Sequence, residues 1–419
     1  MSSINEYIFE LGKNAKKTTT CMARLDSDAK NEALLQMAAA LEEKVEIILE
    51  VNKEDLKRAK EMGIKSSLIE RLSLNEERVY SMADGLRELV KLADPIGNVV
   101  KMWRRPNGLE IGQVRVPLGV VAIIYESRPN VTVDAVGLSI KTGNAIILRG
   151  GSEALQTNKT LVKILREALT DSDVPVDAIQ LVDIPEREAV MALMKMNQYL
   201  DLLIPRGGAG LIKTVINNST VPVIETGVGN CHIFIDSSAE IESSRQIIIN
   251  AKVQRPSVCN AVETLLIHQE IAPKILPFLG EDLKAAGVEI RGCQQVRKYI
   301  PWAKEAAEED WSTEYLDLIL AIKVVSDLEE ALSHIAKYGT QHSESILTTD
   351  YNNARNFLHA VDAAAVYVNA STRFTDGYQF GLGAELGIST QKLHARGPMG
   401  LEALTTLKYI IYGNGQIRK

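Results

Sequence analysis

The feature that most constrains the fold is a regular alternation of apolar and amphipathic segments between Gly119 and Thr226. The apolar segments have the length of buried strands: Val120–Tyr125, Ala145–Leu148, Ile179–Val182, Leu202–Ile204 and Val221–Ile224. The segments between them have helical spacing: Asp134–Lys141, Glu153–Leu169, Arg187–Met196 and Ala209–Asn217. This alternation is typical of βαβ units with a mostly parallel sheet. A second α/β unit is predicted to begin near Gly227, with a strand at Cys231–Ile235, a helix at Ile241–Val253 and a strand at Val262–Ile267.

Two further segments flank this α/β region. The first ninety or so residues have apolar positions three and four apart, which predicts helices. After them, alternating β-branched residues on either side of Asn107-Gly108 predict a hairpin over 98–113. The hairpin either folds back on its own domain or pairs with another subunit. Tyr409–Tyr412 is strand-like and lies near the carboxyl end.

Charge and cysteine usage exclude several classes of function. The chain has 47 Lys plus Arg against 54 Asp plus Glu, a net charge of −7, and no long basic run, so nucleic acid is not an expected partner. The most apolar run, Val116–Tyr125, is too short to cross a bilayer. The four cysteines form no C-x-x-C pair and the six histidines show no metal-ligand spacing. We therefore expect a cytoplasmic, metal-free protein of two or three domains.

Glycines at two predicted strand ends point to an anion site. Arg149-Gly150-Gly151-Ser152 and Pro205-Arg206-Gly207-Gly208 each precede a helix, where backbone amides can approach a phosphate. Each motif alone is equally an ordinary tight turn, but two in one sheet favour a nucleotide site. The stretch Gly381–Gly387 resembles a dinucleotide fingerprint with one residue too many, and we expect a turn-rich loop there.

Two residues outside those turns are candidates for chemistry. Cys259 lies between a predicted helix and a predicted strand, where a thiol can act as a nucleophile if its pKa is depressed; the alternative is a small buried apolar residue. Glu225 follows the predicted strand Val221–Ile224, where a carboxylate can transfer protons or simply be solvated.

Taken together, these residues resemble the aldehyde dehydrogenase superfamily. The resemblance rests on Glu225 and Cys259, thirty-four positions apart, and on the motifs Tyr125-Glu126-Ser127-Arg128-Pro129-Asn130, Asn369-Ala-Ser-Thr-Arg-Phe and His394-Ala-Arg-Gly-Pro-Met-Gly. It is closest to the branch that reduces L-glutamyl 5-phosphate to L-glutamate 5-semialdehyde in proline biosynthesis. The resemblance implies an α/β fold of the aldehyde dehydrogenase type, with a Rossmann-type cofactor domain, an α/β catalytic domain and a small β oligomerisation arm.

The resemblance also implies domain boundaries. The cofactor domain comprises 1–97 and 114–226, the catalytic domain 227–380, and the arm 98–113 and 407–419, while 381–406 returns to the cofactor domain. Arms of this kind pair across subunits in the superfamily, so a homo-oligomer is expected, as is a transient contact with glutamate 5-kinase.

Catalytic roles follow by the same resemblance. Cys259 is the nucleophile that forms a thioester, and Asn130 stabilises the oxyanion together with the backbone amide of Cys259. Glu225 activates water in aldehyde-oxidising relatives; a reductive enzyme must exclude water, so here it poises the thiol or carries its proton.

Binding roles are implied as well. The adenosine ribose is expected at the Arg149, Gly150, Ser152 and Glu153 turn, the pyrophosphate at Arg206, Gly207 and Gly208, and the nicotinamide ribose at Glu314. Arginine replaces the usual lysine at position 149, and its bidentate geometry suits a 2′-phosphate, hence NADP. Arg128, Ser371 and Arg373 are the candidates for binding the charged substrate.

Three other functions remain open at this point. A hydrolytic NAD(P)-dependent dehydrogenase of a small semialdehyde is the nearest alternative. A non-catalytic partner of an amino-acid kinase would have no physical need for Cys259, Asn130 and Glu314. A papain-like hydrolase would require a histidine beside Cys259, which the sequence does not place there.

Overall fold

The computed structural model describes residues 3–64 and 66–418. The amino-terminal part is helical, as predicted, and the alternating region follows it. The helices of these two regions are α1 Ser3–Met22, α2 Ser27–Glu43, α3 Val45–Glu61, α4 Ser66–Leu72, α5 Glu76–Lys91, α6 Pro129–Lys141, α7 Leu155–Ala168, α8 Arg187–Leu193 and α9 Ala209–Asn218. Their strands are β1 Val99–Arg104, β2 Glu110–Pro117, β3 Val120–Tyr125, β4 Ala145–Arg149, β5 Ile179–Leu181 and β6 Leu202–Arg206.

Strands β3 to β6 form a parallel sheet in the order β5-β4-β3-β6. Every residue of β3 is buried, because helices cover both faces, and this explains its unbroken apolar sequence. The predicted strand Val221–Ile224 is wrong: only Val223 bridges to Leu203 of β6. Pro222 has no N–H to donate, so the segment adds two backbone hydrogen bonds to β6 and no further ladder.

The next part of the chain builds a larger sheet. Its strands are β7 Cys231–Ile235, β8 Val262–His268, β9 Glu289–Gly292, β10 Lys304–Glu305, β11 Ile319–Val325, β12 Ser343–Leu347 and β13 Ala365–Val368, followed by the short pair β14 Ile388–Ser389 and β15 Gly397–Pro398. Its helices are α10 Ile241–Val253, α11 Ala272–Ala285, α12 Gln294–Tyr299, α13 Leu328–Tyr338 and α14 Tyr351–Ala360. Strands β7 to β13 are parallel, in the order β10-β9-β11-β8-β7-β12-β13.

Alternate side chains of these strands enter two separate cores. Ile233 and Leu265 pack with α10 and α11 on one face of the sheet, whereas Phe234 and Leu266 pack with α13 and α14 on the other. Successive side chains of a strand point to opposite faces, so both cores follow from one alternating pattern. This burial on both faces holds the loops at the carboxyl ends of the strands in place.

The predicted hairpin is present and acquires a third strand. β1 and β2 pair antiparallel around a turn at Gly108, whose φ of +89° favours glycine. β16, Thr405–Tyr412, pairs antiparallel with β2 along its whole length. The 381–387 stretch is a loop, as expected, with positive φ at Gly381, Gly383 and Gly387.

The described residues divide into two compact units. The first unit contains the residues up to 226, 381–387 and those from 399 onward; the second contains 227–380 and 388–398. The segment 388–398 therefore belongs to the second unit, whereas the sequence analysis assigned all of 381–406 to a return segment. Both β14 and β15 lie in that segment and pair with each other. Among the described residues, no helix is long and apolar enough to span a membrane.

Candidate active site

The carboxyl ends of β3, β4 and β6 bring three turns together in the first unit. The Glu126 carboxylate, just after β3, accepts a hydrogen bond from the Gly208 amide, 3.0 Å away, just after β6. The Glu153 carboxylate, after β4, accepts one from the Ser127 amide at 2.9 Å and another from the Ser127 hydroxyl. Parallel strands end at one edge of a sheet, where ligands of such sheets bind.

The turn after β3 has an unusual backbone. Ser127 has a φ of +40°, a left-handed conformation that disfavours residues with a side chain. Its two hydrogen bonds to Glu153 hold that conformation. Glu153 therefore orders the turn that leads to Asn130, in addition to lining the adjacent pocket.

A pocket of about 790 Å³ lies at this strand-end edge. Its lining includes Arg149, Ser152 and Glu153 from the turn after β4, together with Glu126 and Ser127 after β3. The remaining lining residues are Gly63, Ile64, Leu68, Ile124, Tyr125, Gly151, Pro185, Arg187, Val190, Met191, Met194, Gly210, Leu211 and Thr214. Its volume lies in the range of small-molecule and cofactor sites.

Arg149 contributes positive charge to this pocket, and Gly150, the next residue, allows the turn to pack closely. The Arg149 guanidinium donates to the carbonyl groups of Gly150 and Pro185, while its buried Nε has no hydrogen-bond partner among the described residues. Burial lowers the pKa of Arg149, and neighbouring Arg187 lowers it further. A Cβ at Gly150 would lie 2.1 Å from the side chain of Asn158, so only glycine allows this close packing. Two arginines beside a glycine turn suit an anionic cofactor.

Asn130 is the second residue of α6, directly after Pro129 at the first helical position. Its side-chain nitrogen donates to the Asp134 carboxylate, one turn further along, at 3.1 Å. Burial raises the pKa of Asp134 to about 6, opposed by that hydrogen bond and by the charge of Arg206. The Arg206 guanidinium packs against Gly387, where a Cβ would lie 2.8 Å from its Nη1. Asn130 is exposed, and its orientation is set from inside the helix.

The loop that carries Cys259 lies in the second unit, between α10 and β8. Cys259 is half-buried, and the chain at Gly229 passes directly against its backbone. A Cβ at Gly229 would lie 1.6 Å from the Cys259 carbonyl oxygen, which no side chain can satisfy. The buried Cys231 thiol donates to the same oxygen at 3.2 Å. Burial raises the pKa of Cys231 well above its usual range, so this second thiol stays protonated.

Glu314 lies against the same Gly229 segment. Its carboxylate accepts a hydrogen bond from the Gly229 amide at 2.7 Å. Glu263 holds the loop that carries Glu314, because its carboxylate accepts a hydrogen bond from the Leu316 amide at 3.1 Å. The same carboxylate forms an ion pair with Lys252 at 2.5 Å. Burial raises the pKa of Glu263 to about 7 and lowers that of Lys252. Gly229 therefore joins Glu314 to the loop that carries Cys259.

Arg373 and Ser371 also lie beside that loop. Ser371 is buried and caps a short 3₁₀ turn, Thr372–Phe374, that presents Arg373. The guanidinium donates from Nε to Gln254 at 3.1 Å and from Nη1 to Asn260. Burial lowers the pKa of Arg373, as does Arg255, while the Cys259 thiolate opposes both. Arg373 thus interacts with the charge of the thiol, and Arg255 lies near Arg373.

The predicted site residues fall into two sets. Cys259, Glu314, Ser371 and Arg373 come together in the second unit. The first unit contains the remaining ones: Arg128, Asn130, Arg149, Gly150, Ser152, Glu153, Arg206, Gly207, Gly208 and Glu225. Arg128 and Glu225 are half-buried. Glu225 follows an isolated bridge and not the strand end on which its predicted placement relied.

Sequence reasoning missed Arg187, Arg255 and Asn260. Arg187 begins a helix next to a strand end, and Arg255 and Asn260 flank Cys259 by four residues and one. Their positions near a strand end or near Cys259 can be read from the sequence. The proximity of Arg187 to Arg149, and of Arg255 and Asn260 to Arg373, depends on tertiary structure. Among the residues that the structure describes, no group of three His, Cys, Asp or Glu side chains could hold a metal ion.

The class is indicated by a parallel sheet with a pocket at its strand ends and by a half-buried cysteine loop in a second α/β unit. Residues 5–292 match the sequence profile described as "Aldehyde dehydrogenase family". The chain belongs to the aldehyde dehydrogenase family. An acetylating aldehyde dehydrogenase from Geobacillus thermoglucosidasius, 19% identical with a TM-score of 0.72, shares the fold over 99% of this chain and 98% of that one.

Closer relatives define the branch. A gamma-glutamyl phosphate reductase from Moorella thermoacetica is 62% identical over 97% of this chain and 98% of its own length. One from Clostridium novyi is 58% identical over 99% and 100%. The crystal structure of the gamma-glutamyl phosphate reductase from Thermotoga maritima has a TM-score of 0.95 and 50% identity over 98% of this chain and 100% of that chain. Within its family, the chain belongs to the gamma-glutamyl phosphate reductases.

Proposed function

We propose that this protein reduces L-glutamyl 5-phosphate to L-glutamate 5-semialdehyde and phosphate with a nicotinamide cofactor, the second step of proline biosynthesis. The observation that carries the proposal is the full-length similarity to gamma-glutamyl phosphate reductases, at 62% identity to one of them. The contacts around Cys259 suit the same chemistry, because Glu314, Arg373 and the Gly229 backbone all lie at its loop.

In the proposed reaction, the Cys259 thiolate attacks the acyl carbon, the bond from that carbon to the phosphate oxygen breaks, and phosphate leaves. The product of this step is a thioester on Cys259. The bound cofactor supplies the hydride that reduces this thioester. An oxyanion forms when the thiolate attacks and again when the hydride reduces the thioester to a thiohemiacetal, and the side-chain amide of Asn130 and the backbone amide of Cys259 stabilise it both times. The carbon–sulfur bond of the thiohemiacetal then breaks, which releases the semialdehyde and returns the thiol. Glu225 carries the thiol proton.

The proposed substrate site consists of cations and a hydroxyl. L-Glutamyl 5-phosphate has an α-carboxylate and a phosphate, and Arg373 lies near the nucleophile with Arg255 beside it. Arg128 and Ser371 complete the proposed set. We expect Arg373→Ala to raise KM for glutamate semialdehyde at least about tenfold, roughly 1.4 kcal/mol. An unchanged KM would remove Arg373 from the substrate site.

We propose NADP as the preferred cofactor. Arg149 and Arg187 both line the strand-end pocket, and the charge of Arg187 contributes to the lowered pKa of Arg149, so a 2′-phosphate bound near both would relieve their repulsion. We expect Arg187→Ala to lower kcat/KM for NADPH at least about tenfold, while kcat/KM for NADH changes little. NADH serves as the internal control. Equal losses with both cofactors would refute a 2′-phosphate site.

The alternative reaction is hydrolytic oxidation of a small semialdehyde. The discriminating assay follows NADP reduction by glutamate semialdehyde with and without inorganic phosphate, for the wild type and for Cys259→Ser. Reductive acyl-phosphate chemistry, run in reverse, requires phosphate, whereas hydrolysis proceeds without it. Phosphate-independent turnover that is lost in Cys259→Ser would establish the hydrolytic alternative.

We also propose that β1, β2 and β16 pair with a second copy of the chain. Leu407, Tyr409 and Ile411 lie on one face of β16 and are 42 to 58% exposed. We expect the wild type to sediment as an oligomer and Tyr409→Lys combined with Ile411→Lys to shift it towards a monomer. Lys408→Ala, on the opposite face of β16, is the control. The cytoplasm as its location and a transient contact with glutamate 5-kinase stay predictions.

A further inference from the structure

Asn260, the residue after the nucleophile, makes more contacts than its place in a loop requires. It is 5% exposed, and its side-chain nitrogen donates to the carbonyl oxygen of Thr375 at 2.8 Å and to that of Arg373 at 3.4 Å. Its backbone carbonyl accepts a hydrogen bond from the Thr372 hydroxyl at 2.7 Å. Asn260 thus binds the 3₁₀ turn Thr372–Phe374 through its backbone and its side chain.

The side-chain oxygen of Asn260 has a separate role, because it accepts the hydrogen bond from Nη1 of Arg373. Gln254 accepts from Nε of the same guanidinium at 3.1 Å. Gln254 lies five residues before Cys259 and Asn260 one residue after it, so the guanidinium is held at both ends of the nucleophile loop. An arginine held at both ends has few rotamers left, which fixes its charge relative to the thiol.

Gln254 and Asn260 hold the Arg373 guanidinium in different ways. Gln254 is exposed and contacts Arg373 through one acceptor, whereas the buried Asn260 amide joins the guanidinium, the 3₁₀ turn and the residue next to the thiol. A buried amide that satisfies both its donor and its acceptor capacity holds a single orientation.

We propose that Asn260 is a positioning residue that fixes the Arg373 guanidinium beside the Cys259 thiol. The inference rests on the proposed role of Cys259 as the nucleophile and adds a residue that sets the local charge at that thiol. Burial lowers the pKa of Arg373 while the Cys259 thiolate opposes it, in accord with a cation that acts on this thiol.

The test measures the charge at the thiol without any substrate. The apoenzyme is alkylated with iodoacetate, which is an anion, and with iodoacetamide, which is neutral, and modification of the Cys259 peptide is followed by mass spectrometry. In both reactions the thiolate sulfur displaces iodide. The ratio of the two rates reports the positive potential at Cys259 and is insensitive to a uniform loss of folded protein.

We expect Asn260→Ala and Arg373→Ala each to lower this ratio at least about threefold, with no further fall in the double variant, because both changes remove one effect. Asn353→Ala, which removes an amide bonded to Asp236 in the same unit, should leave the ratio unchanged. Asn260→Ser, with a smaller packing defect, repeats the measurement if Asn260→Ala does not fold. In steady-state assays Asn260→Ala should raise KM about tenfold and lower kcat less.

Three results would overturn the inference. The first is that Asn260→Ala has the same ratio of alkylation rates as the wild type although Arg373→Ala lowers that ratio. The second is that Arg373→Ala itself leaves the ratio unchanged. Additive falls in the double variant would also overturn it, because they would show independent effects. Failure of the proposed reductase function would appear differently, as absence of phosphate-dependent turnover in the wild type, and would not alter the alkylation ratio.

Discussion

Gly229 provides the sharpest test of how the nucleophile loop is held. A methyl group added there would lie 1.6 Å from the Cys259 carbonyl oxygen and 2.7 Å from its Cα. Real Cβ atoms essentially never come within 3.0 Å of a heavy atom outside their own residue and its chain neighbours, so the backbone of Cys259 would have to move by about 1.4 Å. The obstacle is backbone and not the end of a flexible side chain, so no rotamer change relieves it. The Glu314 carboxylate, which accepts from the Gly229 amide, would be displaced as well.

The expected effect of Gly229→Ala therefore has two parts. Overpacking a fixed backbone contact costs about 1 to 3 kcal/mol of folding free energy. Displacing a reacting group by about 1 Å costs on the order of 100-fold in rate, or about 2.7 kcal/mol of activation free energy. We expect kcat for phosphate-dependent NADP reduction by glutamate semialdehyde to fall at least about 100-fold in protein whose thermal unfolding remains cooperative.

Gly280→Ala is the matched control. It lies within α11 in the same unit, and its added methyl group would meet only the flexible side chain of Ile300, at 3.0 Å. The gain in helix propensity, about 1 kcal/mol, offsets that crowding, so activity should stay within about twofold of the wild type. A folded Gly229→Ala enzyme with kcat within about threefold of the wild type would refute the reasoning, because the nucleophile would then tolerate its own displacement.

Three other changes test neighbouring features. Cys259→Ser should abolish turnover while unfolding in urea stays within about 1 kcal/mol of the wild type; measurable turnover would exclude the thioester. Burial lowers the pKa of His334 to about 3. Below about pH 6.5 the imidazole is therefore protonated in the unfolded chain but neutral in the folded chain, so the free energy of unfolding falls as pH falls. Between pH 7.5 and 5.5 the wild type should therefore lose about 1.4 kcal/mol more than His334→Phe, as measured by urea unfolding at both values, and equal losses would contradict a buried neutral His334. Lys252→Ala leaves the buried Glu263 carboxylate unpaired and should cost about 3 to 5 kcal/mol in the same assay, with a loss below about 1 kcal/mol counting against the buried pair.

The parts of the fold that were predictable are those whose pattern is local. Cys231–Ile235 and Ile241–Val253 have the predicted bounds as β7 and α10, because an unbroken apolar run and a 3.6-residue period each indicate one structure. The Val221–Ile224 prediction failed because the same apolar composition occurs in an extended segment that Pro222 prevents from pairing fully. Apolar composition alone does not distinguish these two cases.

The candidate site likewise has residues that the local sequence reveals and residues that only long-range contacts reveal. Cys259 and the glycine turns after β4 and β6 were visible because residue type and position relative to a strand end carry the chemistry. The link from Glu314 to Gly229 spans 85 residues, and that from Arg373 to Asn260 spans 113. No local pattern encodes such pairs, so only the three-dimensional structure reveals that Asn260 contacts Arg373.

The pairing of β16 with β2 has a consequence for the order in which the chain becomes complete during synthesis. Arg115 in β2 and Thr405 at the start of β16 are hydrogen-bonded across 290 residues. A ribosome-bound chain therefore presents one long edge of the β1–β2 hairpin without its neighbour until the residues of β16 have been made. Open edges of this kind recruit other strands, so nascent chains stalled before Thr405 are the species most exposed to misassembly. Late arrival of β16 also makes this sheet a non-local, slowly closing element of folding.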